Sequence, residues 1–417
     1  MIIKRDTYLN QLIAGKHNGL IKVITGLRRS GKSFLLFNLF YNHLREEGVA
    51  ESQIIKVDLE DRRRIKLRDP DALLAYLDSQ IKNDEMYYFL LDEIQHVPDF
   101  EDVLNSYLKI KNVDVYVTGS NSHFLSSDIV TEFRGRGDQI HIYPLSFSEF
   151  MQVDSRHPME AWTDYCTFGG LPHIVSLETE QKKANYLKEL WSTSYFLDII
   201  ERYKIQGKAE LEELVKIIAS AIGSPTNPNK LSNTFKSLKN VSLSNKTIDK
   251  YLSYLCESFL TEKAVRFDIK GKKYINTLAK YYFTDLGMRN FILNFRQQEE
   301  NHIMENVIYN ELKVRGFQVD VGIVERRVPD ESGKTVRKQY EVDFVANKGS
   351  QRYYIQSAFA IPDSEKERQE SNSLRNIDDS FKKIIVVKDY IRPKRNEDGI
   401  VTMNLFDFLL KPEMMDW

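Results

Sequence analysis

The octet GLRRSGKS, residues 26–33, decides the fold of the first part of the chain. It fits the pattern G-x-x-x-x-G-K-[ST], with Gly26, Gly31, Lys32 and Ser33 in the fixed positions. Residues 20–25, before the octet, are mostly apolar and rich in Ile and Val, which is typical of a buried parallel strand. The residues after it, FLLFNLF at 34–40, predict a helix that is apolar on most sides. A glycine loop between such a strand and such a helix is expected to bind phosphate.

The octet offers several kinds of group to a phosphate. Free N–H groups and the helix dipole attract the anion, Lys32 adds a positive charge, and Ser33 offers a hydroxyl to magnesium. A glycine turn without a ligand is the alternative, and the order strand, loop, helix argues against it. The predicted nucleotide-binding residues are Gly26, Arg29, Ser30, Gly31, Lys32, Ser33, Phe34 and Asp92.

Two acids follow a second apolar strand, in the stretch YYFLLDEIQHV at residues 87–97. Asp92, at the carboxyl end of this strand, is expected to lie beside the phosphate loop and to hold magnesium through water. Ser33 and Asp92 are therefore the predicted metal ligands, and Glu93 is placed to polarise an attacking water. The alternative is that both acids begin and cap a short helix. Their combination with the phosphate loop favours the catalytic interpretation.

A third strand and an arginine pair follow. The stretch VDVYVTGSNSHFL, residues 113–125, predicts that Asn121 reaches the γ-phosphate, with Ser120 and Ser122 close behind and a serine-rich helix cap as the alternative. Further on, Arg134 and Arg136 flank a glycine. An arginine from a neighbouring subunit can stabilise charge on a transferred phosphoryl group, although composition alone favours a surface salt bridge.

Composition limits the class of protein. A chain of 417 residues is long enough for two or three domains, and it contains no apolar run of about 18 residues that could span a bilayer. Its two cysteines lie apart, without metal or disulfide spacing, and the N-terminal residues lack the pattern of a secretory signal, so we expect a cytoplasmic protein.

Residues 203–290 contain 15 Lys and Arg against 8 Asp and Glu, a net charge of +7 in a chain of net charge −1. A basic middle region favours a polyanionic partner, and a solvated basic surface is an equally weighted alternative.

Four stretches together resemble the AAA+ ATPases: GLRRSGKS, FLLDEIQ, VTGSNS and FRGRGDQIHIYPLSFSEF. The resemblance is to a prokaryotic family that joins an AAA ATPase core to a winged helix and to a C-terminal domain of unknown function related to restriction-endonuclease folds. It covers nearly the whole chain. It implies ATP and Mg²⁺ as cofactors, and a homo-oligomer, with a hexameric ring as one arrangement.

The same resemblance implies roles for single residues. Lys32 and Ser33 would form the Walker A pair, Asp92 and Glu93 the Walker B pair, Asn121 the sensor, and Arg136, with or without Arg134, a finger acting in the neighbouring subunit. Residues 151–203, with a Gly-Gly-Leu-Pro turn at 169–172, look like the helical lid of such ATPases.

The middle region resembles a winged helix. Helical patterns are followed by two strand-like runs around the lysine-rich turn DIKGKK, and Ile248, Leu252 and Leu255 fall on one face of the last helix. Such a helix presents polar and basic groups to DNA, while the wing contacts the backbone. Protein contact is the alternative for a winged helix. The predicted DNA-contacting residues are Asn245, Lys246, Lys250, Lys270, Lys272 and Lys273.

The C-terminal region resembles the PD-(D/E)xK nuclease core. Glu305, Glu341 and Asp343 fit its early acidic positions, whereas Gln356, Ser357 and Ala358 stand where an acid, any residue and a lysine belong. Without that lysine and the later acid, metal binding and water activation are both impaired. We therefore expect a degenerate site in a domain that serves interactions, with active nuclease chemistry as the less favoured alternative.

These arguments predict an α/β protein built from four parts. They are an AAA+ P-loop core with a parallel sheet (1–150), a helical lid (151–203), a winged helix (204–295) and an α/β restriction-endonuclease-like domain (300–417). The predicted function is Mg²⁺-dependent ATP hydrolysis coupled to DNA binding or remodelling, with no membrane involved. A slow nucleotide-controlled switch acting on a protein partner, and an ATP-dependent nuclease, are the alternatives.

Overall fold

The structure is a computed structural model that describes residues 2–119, 133, 135–239, 243–296, 299–329, 334–361 and 364–417. Its strands are β1 Ile21–Gly26, β2 Ile54–Asp58, β3 Tyr87–Asp92, β4 Val113–Thr118, β5 Gly137–Ile142, β6 Thr261–Asp268, β7 Lys273–Phe283, β8 Gln318–Pro329, β9 Thr335–Lys348, β10 Gln351–Ala358, β11 Lys382–Val387, β12 Lys394–Arg395 and β13 Val401–Asn404. Its α-helices are α1 Asp6–Ala14, α2 Lys32–Phe34, α3 Tyr41–Glu46, α4 Pro70–Gln80, α5 Phe100–Tyr107, α6 Phe147–Phe150, α7 Pro158–Phe168, α8 Glu180–Leu190, α9 Phe196–Tyr203, α10 Lys208–Ser220, α11 Pro228–Lys239, α12 Asn245–Glu257, α13 Leu286–Ile292, α14 Glu300–Val314, α15 Ser364–Arg375 and α16 Leu405–Leu410. Within these described ranges, no helix has the length and apolar character needed to cross a membrane.

The first sheet is parallel throughout and has the order β2-β3-β4-β1-β5. Strands β1 and β3 are buried at every position, because helices cover both faces of the sheet. The parallel P-loop core that the sequence predicts is therefore confirmed. Strand β4 lies between β1 and β3, so the strand that carries Asp92 is separated from the strand that leads into the phosphate loop.

The helix after the phosphate loop runs from α2 through a π-helical stretch, Leu35–Phe40, into α3. Leu35, Leu36 and Phe40 are fully buried and pack with α1 on one face of the sheet. This burial explains why the segment is apolar on most sides, as its sequence suggested.

Arg5, just before α1, fixes the phosphate loop from behind. Its guanidinium is buried and donates to the Ser30 carbonyl at 3.0 Å, to the Tyr143 carbonyl at 2.7 Å and to Glu149 Oε1 at 2.9 Å. Glu149 also completes a capping box with Ser146 at the start of α6. One buried charge pair thus ties together the N-terminus, the phosphate loop and the SFSEF stretch.

The region predicted as a lid consists of α7, α8, a π-helical stretch Trp191–Tyr195 and α9. Its turn at residues 169–172 is held by Asp285, whose carboxylate accepts from the Gly170 N–H at 2.9 Å and caps α13 through Met288. Gly169 has φ 79°, and a Cβ there would lie 2.4 Å from the Asp285 carboxylate. Glycine is required at this position because the chain passes so close to the acid.

Three helices, α10 to α12, precede the hairpin of β6 and β7. Ile248, Leu252 and Leu255 are buried on one face of α12, and the Ser244 hydroxyl caps this helix by accepting from the Thr247 N–H at 3.1 Å. Both features agree with the sequence analysis.

The hairpin is not a separate element, because β6 pairs in parallel with β8 at residues 266–268 and 321–323. It extends a second sheet of order β12-β13-β11-β10-β9-β8-β6-β7. The predicted boundary between residues 295 and 300 therefore lies within a unit that shares one sheet. Helix α14 packs on one face of this sheet and α15 on the other.

Candidate functional site

A cleft of about 610 Å³ lies between the carboxyl edge of the first sheet and the lid helices. Its walls come from the phosphate loop, the ends of β2 and β3, and residues 172–194. The lining residues are Arg28, Arg29, Gly31, Lys32, Ser33, Phe34, Glu60, Glu93, Pro172, His173, Tyr186, Glu189, Leu190, Thr193 and Ser194. The cleft therefore contains most of the predicted nucleotide-binding residues.

Lys32 forms the floor of the cleft. Its ammonium is buried and donates to the carbonyls of Gly26 and Leu27, both at 3.0 Å. Burial lowers the pKa of Lys32 to about 8, although the nearby Glu93 and Asp92 charges raise it. Among the described residues, no carboxylate lies within ion-pair distance of this ammonium, so backbone dipoles alone satisfy it.

Two glycines give the loop its shape. Gly31 has φ 99°, a left-handed conformation, and begins the helix that follows. Gly26 has φ 136°, and a Cβ there would lie 2.1 Å from the carbonyl oxygen of Ile142 on the neighbouring β5. The close contact between β1 and β5 therefore excludes any side chain at residue 26.

Asp92 is buried at the end of β3 and is hydrogen-bonded by Thr118 from the adjacent β4. Burial raises the pKa of Asp92 to about 6, while hydrogen bonding from Thr118 and Ser33 acts in the opposite direction. The sequence analysis places Asp92 next to the loop. The structure puts β4 between the two strands, and Asp92 contacts the loop through the Ser33 hydroxyl.

Glu93 follows with a left-handed backbone, φ 53° and ψ 49°, an unfavourable conformation for a glutamate. Its N–H donates to Thr118 Oγ1 at 3.1 Å, and its carboxylate accepts from the Gln95 side chain. Because the chain turns sharply here, Glu93 lines the cleft while Asp92 stays beneath it. Thr118 holds both acids, and the sequence analysis assigned it no role.

Asn121 and Arg134 lie outside the described residues, as do Ser120 and Ser122. Arg136 is exposed at the start of β5, with no side-chain partner among the described residues. Its carbonyl accepts from the N–H of Ile21, the first residue of β1. Arg136 is thus at the amino edge of the sheet, about 15 Å or more from its own phosphate loop at the rise of a parallel strand.

The residues of the cleft fit a nucleotide with magnesium. The buried Lys32 ammonium on the cleft floor has only carbonyl partners, and the buried Ser30 hydroxyl of the same loop has no hydrogen-bond partner. The described residues contain no group of three His, Cys, Asp or Glu side chains placed to hold a metal. Magnesium bound here would therefore depend on Ser33, on Asp92 and on oxygens of the nucleotide itself, which is the usual way that this ion is held.

The predicted DNA-contacting residues divide into two groups. Lys246, Lys250, Lys272 and Lys273 are exposed. Lys270 instead forms an ion pair with Asp378 at 2.9 Å, and the Asn245 side chain donates to Asn229. The tip of the hairpin is therefore partly engaged by the C-terminal region.

The predicted nuclease residues do come together, around a lysine that sequence reasoning missed. Lys280 on β7 is 3% exposed, and its ammonium lies 2.8 Å from Glu305, 2.9 Å from Glu341 and 3.5 Å from Asp343. The Tyr282 hydroxyl donates to Glu305 at 2.6 Å. Lys280, on β7, is thus the cationic partner of three acids that lie on α14 and β9.

The charges of this cluster depend on one another. Burial lowers the pKa of Lys280, but the three acids raise this pKa by more than burial lowers it. The net effect is a raised pKa, so the ammonium stays charged. Burial and then the Glu305 charge raise the pKa of Asp343. The Gln356 side-chain oxygen lies 3.4 Å from the Asp343 N–H, and the Ser357 N–H donates to the Asp343 carboxylate at 2.8 Å. An ammonium therefore occupies the centre of the cluster, in contact with all three acids.

Removing this ammonium should destabilise the protein. We expect Lys280→Met to lower the free energy of unfolding by about 3–5 kcal/mol at pH 7.5, because it leaves buried carboxylates facing one another. Adding Glu305→Gln to Lys280→Met should recover part of the loss. Urea unfolding followed by circular dichroism tests both expectations. A Lys280→Met variant as stable as the wild type would show that the cluster contributes nothing to stability.

Protonation of Asp92 should weaken magnesium-dependent nucleotide binding. Since its pKa is raised to about 6, the carboxylate is charged at pH 7.5 and mostly protonated at pH 5. We expect the gain in nucleotide affinity that Mg²⁺ provides to fall about tenfold per pH unit below that pKa. Calorimetric titration from pH 7.5 to 5, with and without Mg²⁺, measures this gain. The Asp92→Asn variant is the control, and an equal pH dependence in both proteins would contradict the expectation.

Comparison with protein-family models finds two matches. Residues 18–151 match an AAA domain, and residues 159–299 match a domain of unknown function, DUF8612. The second match runs from the lid through the helices to the hairpin and α13. The first match corresponds to the parallel sheet with its phosphate loop and acids.

Two curated proteins and one solved structure are similar to this chain. An uncharacterized protein of Haemophilus influenzae is 34% identical over 416 residues, covering 98% of this chain and 99% of its own length. An uncharacterized protein of Methanocaldococcus jannaschii is 29% identical over 381 residues, covering 88% of this chain and 80% of its own. A Walker-type ATPase of Pyrococcus abyssi has a TM-score of 0.49 and 13% identity over 70% of this chain and 96% of that one, which is too low to establish a common fold.

The first of these relatives matches over essentially the whole of both chains. The AAA match covers the phosphate loop and the acids on one side of the cleft, and the second match covers the lid residues on the other side. The protein therefore belongs to one family with the Haemophilus influenzae protein, and this family carries the AAA domain of P-loop ATPases.

Proposed function

We propose that this protein is a Mg²⁺-dependent ATPase that couples hydrolysis, through rearrangement of a homo-oligomer, to binding or remodelling DNA. The observation that carries the proposal is the cleft. A buried lysine with only carbonyl partners forms its floor, and Glu93 faces it from the end of β3. This arrangement suits a nucleotide whose phosphates contact the ammonium and whose attacking water contacts the carboxylate.

Each residue has a separate task in this proposal. Lys32 exchanges its carbonyl partners for phosphate oxygens, and the N–H groups at the start of the helix bind the same anion. Bound Mg²⁺ would neutralise charge on the phosphates, held by Ser33 and Asp92. Glu93 orients the water and accepts its proton. Thr118 contacts the Asp92 carboxylate and the Glu93 N–H. In this proposal Asp92 faces the metal and Glu93 faces the water.

The position of Arg136 supports an oligomer. Its exposed guanidinium is at the edge of the sheet opposite to its own phosphate loop, so it does not reach the nucleotide of the same chain. A neighbouring subunit stacked against that edge receives the arginine in its own cleft, as in a closed ring. Arg134 stays a second choice for this role.

Helix α12 supports a nucleic-acid partner. Lys246 and Lys250 are exposed on the side opposite its buried face, together with Ser253. Two ammonium groups one helical turn apart suit successive phosphates of a DNA backbone. The exposed Lys272 and Lys273 extend this charge to the hairpin.

A second candidate function is a slow nucleotide-controlled switch with a protein partner. The observation in its favour is that Lys270 is paired with Asp378 and that the hairpin is built into the second sheet. These contacts remove part of the predicted wing from a DNA backbone. Nuclease chemistry is not proposed, because the Lys280 ammonium already occupies the carboxylate cluster.

The steady-state ATPase rate with and without DNA tests the proposal. We expect Lys32→Ala to lower the rate by on the order of 100-fold, and Glu93→Gln to stop turnover while nucleotide binding is kept. Duplex, single-stranded and branched DNA should raise the wild-type rate. A Lys32-dependent rate that no DNA changes would favour the second candidate function, the nucleotide-controlled switch.

The same assay tests the DNA surface with a matched pair of variants. Lys246→Ala with Lys250→Ala should abolish stimulation and reduce the salt dependence of DNA affinity by about 0.9 per lost phosphate contact in a log–log plot. Lys109→Ala with Lys111→Ala, on exposed lysines of the AAA domain, should change neither quantity. Equal effects of the two pairs would contradict a specific surface on α12.

Mixing inactive variants tests Arg136. Arg136→Ala is expected to lower turnover by about 10³-fold or more, the usual contribution of an arginine finger. Mixed with Glu93→Gln, it should regain activity, because the second variant supplies an intact arginine to the first variant's intact site. A fully active Arg136→Ala, or a mixture without recovery, would overturn the assignment.

A further inference from the structure

Arg28 is a residue of the phosphate loop that the predicted site left out. Its guanidinium lies 2.9 Å from Asp198 on α9 and 3.7 Å from Glu60, just after β2. Its carbonyl accepts from the Tyr195 hydroxyl at 2.7 Å. Through its side chain and its backbone, this one loop residue is therefore attached to the lid.

Arg28 also lines the cleft at the end where hydrolysis would occur. It shares that wall with Glu60 and Glu93, and Lys32 lies on the floor beside them. The electrostatic influence of Arg28 extends to Lys32, and that of Glu93 extends to Asp198. The two carboxylate partners of Arg28 therefore lie close enough to the expected position of a terminal phosphate to compete with it for the guanidinium.

The ion pair of Arg28 and Asp198 is easily exchanged. Its side chains are 32% and 35% exposed, and a pair with that exposure contributes at most about 1 kcal/mol. A terminal phosphate carries more negative charge than a carboxylate and binds a guanidinium through two hydrogen bonds. A phosphate at the Glu93 end of the cleft therefore competes with Asp198 for the same guanidinium.

We propose that Arg28 senses the terminal phosphate of a nucleoside triphosphate by exchanging Asp198 for it, which releases α9 of the lid. The inference rests on the proposed nucleotide site and adds its regulation. A diphosphate does not reach the guanidinium. The ion pair between Arg28 and Asp198 is then kept, and α9 keeps its position in the structure. Arg28 is then a phosphate-contacting residue that couples the state of the nucleotide to the lid.

The chain contains its own reporter of this motion. Trp191 is half-buried between the cleft residues Leu190 and Thr193, and its ring stacks on Phe196 at 5.3 Å. Phe196 is the first residue of α9, the helix that carries Asp198. A displacement of α9 therefore changes the surroundings of the Trp191 indole. Of the other two tryptophans, Trp417→Phe removes the half-exposed one, and Trp162 is buried against Phe147 and Phe406, so a nucleotide-dependent change in emission is assigned to Trp191.

The experiment compares ATPγS and ADP binding to the full chain by calorimetry and by Trp191 emission. Arg28→Ala is expected to weaken ATPγS binding by about tenfold while leaving ADP affinity within about twofold, because only a terminal phosphate would use the guanidinium. Arg28→Lys should recover part of the preference. Asp198→Asn should tighten ATPγS binding by about threefold or more, since the competitor of the phosphate is weakened.

Controls separate this role from a structural one. Glu201→Gln changes the same charge on the same helix, at an exposed position, and should alter neither affinity. In the Arg28→Ala background, Asp198→Asn should have no further effect on ATPγS. ATPγS should shift the Trp191 emission of the wild type but not of Arg28→Ala, and ADP should shift neither. Equal changes in ATPγS and ADP affinity on Arg28→Ala would overturn the inference, as would unchanged ATPγS affinity.

Failure of the proposed function would give a different result. A wild type that binds neither nucleotide, or a Lys32→Ala variant that binds both as tightly as the wild type, would refute the nucleotide site itself. A wild type that binds both with Lys32-dependent affinity, but shows no effect of Arg28, would refute the sensor alone. Circular dichroism of each variant establishes that the fold is retained.

Discussion

The parallel direction of the five strands in the first sheet is the constraint on which the site depends. Every segment that follows a strand emerges at the same edge, so the loop after β1 and the acids after β3 meet there although some sixty residues separate them. The strand between them contributes Thr118, which hydrogen-bonds to Asp92 and accepts from the Glu93 N–H. A single hydroxyl therefore contacts both the Asp92 carboxylate and the Glu93 backbone.

Buried polar contacts hold this edge against the rest of the molecule. Arg5 donates a hydrogen bond to the Ser30 carbonyl of the phosphate loop, and Arg28 of the same loop forms an ion pair with Asp198 of the lid. On the far side, the partly buried His141 is hydrogen-bonded to Thr25 of β1 and packs against Phe259, while Tyr143 donates to Glu262 of the hairpin. Burial lowers the pKa of His141 to about 4, so it is neutral in this contact. The phosphate loop is thus enclosed by contacts from several distant parts of the chain.

Local sequence patterns predicted the features that depend on neighbouring residues. The glycines of the loop, the apolar strands, the helix cap at Ser244 and the buried face of α12 all follow from spacing along the chain. Features that depend on strand order could not be predicted in this way. Lys280 lies more than twenty residues before the first acid of its cluster, and no local sequence pattern marks it. The same is true of Thr118 and Arg5. Their importance arises only when the sheets bring distant segments into contact.

The pairing of β6 with β8 has a mechanical consequence. Two segments joined by a continuous row of sheet hydrogen bonds move as one body, since bending between them would break several bonds at once. The lid turn is fastened to α13 by Asp285, and α13 directly follows β7. The lid turn, α13, the hairpin and the C-terminal strands are thus joined to one another by hydrogen bonds. A displacement of the lid turn therefore strains the C-terminal strands through this row of hydrogen bonds.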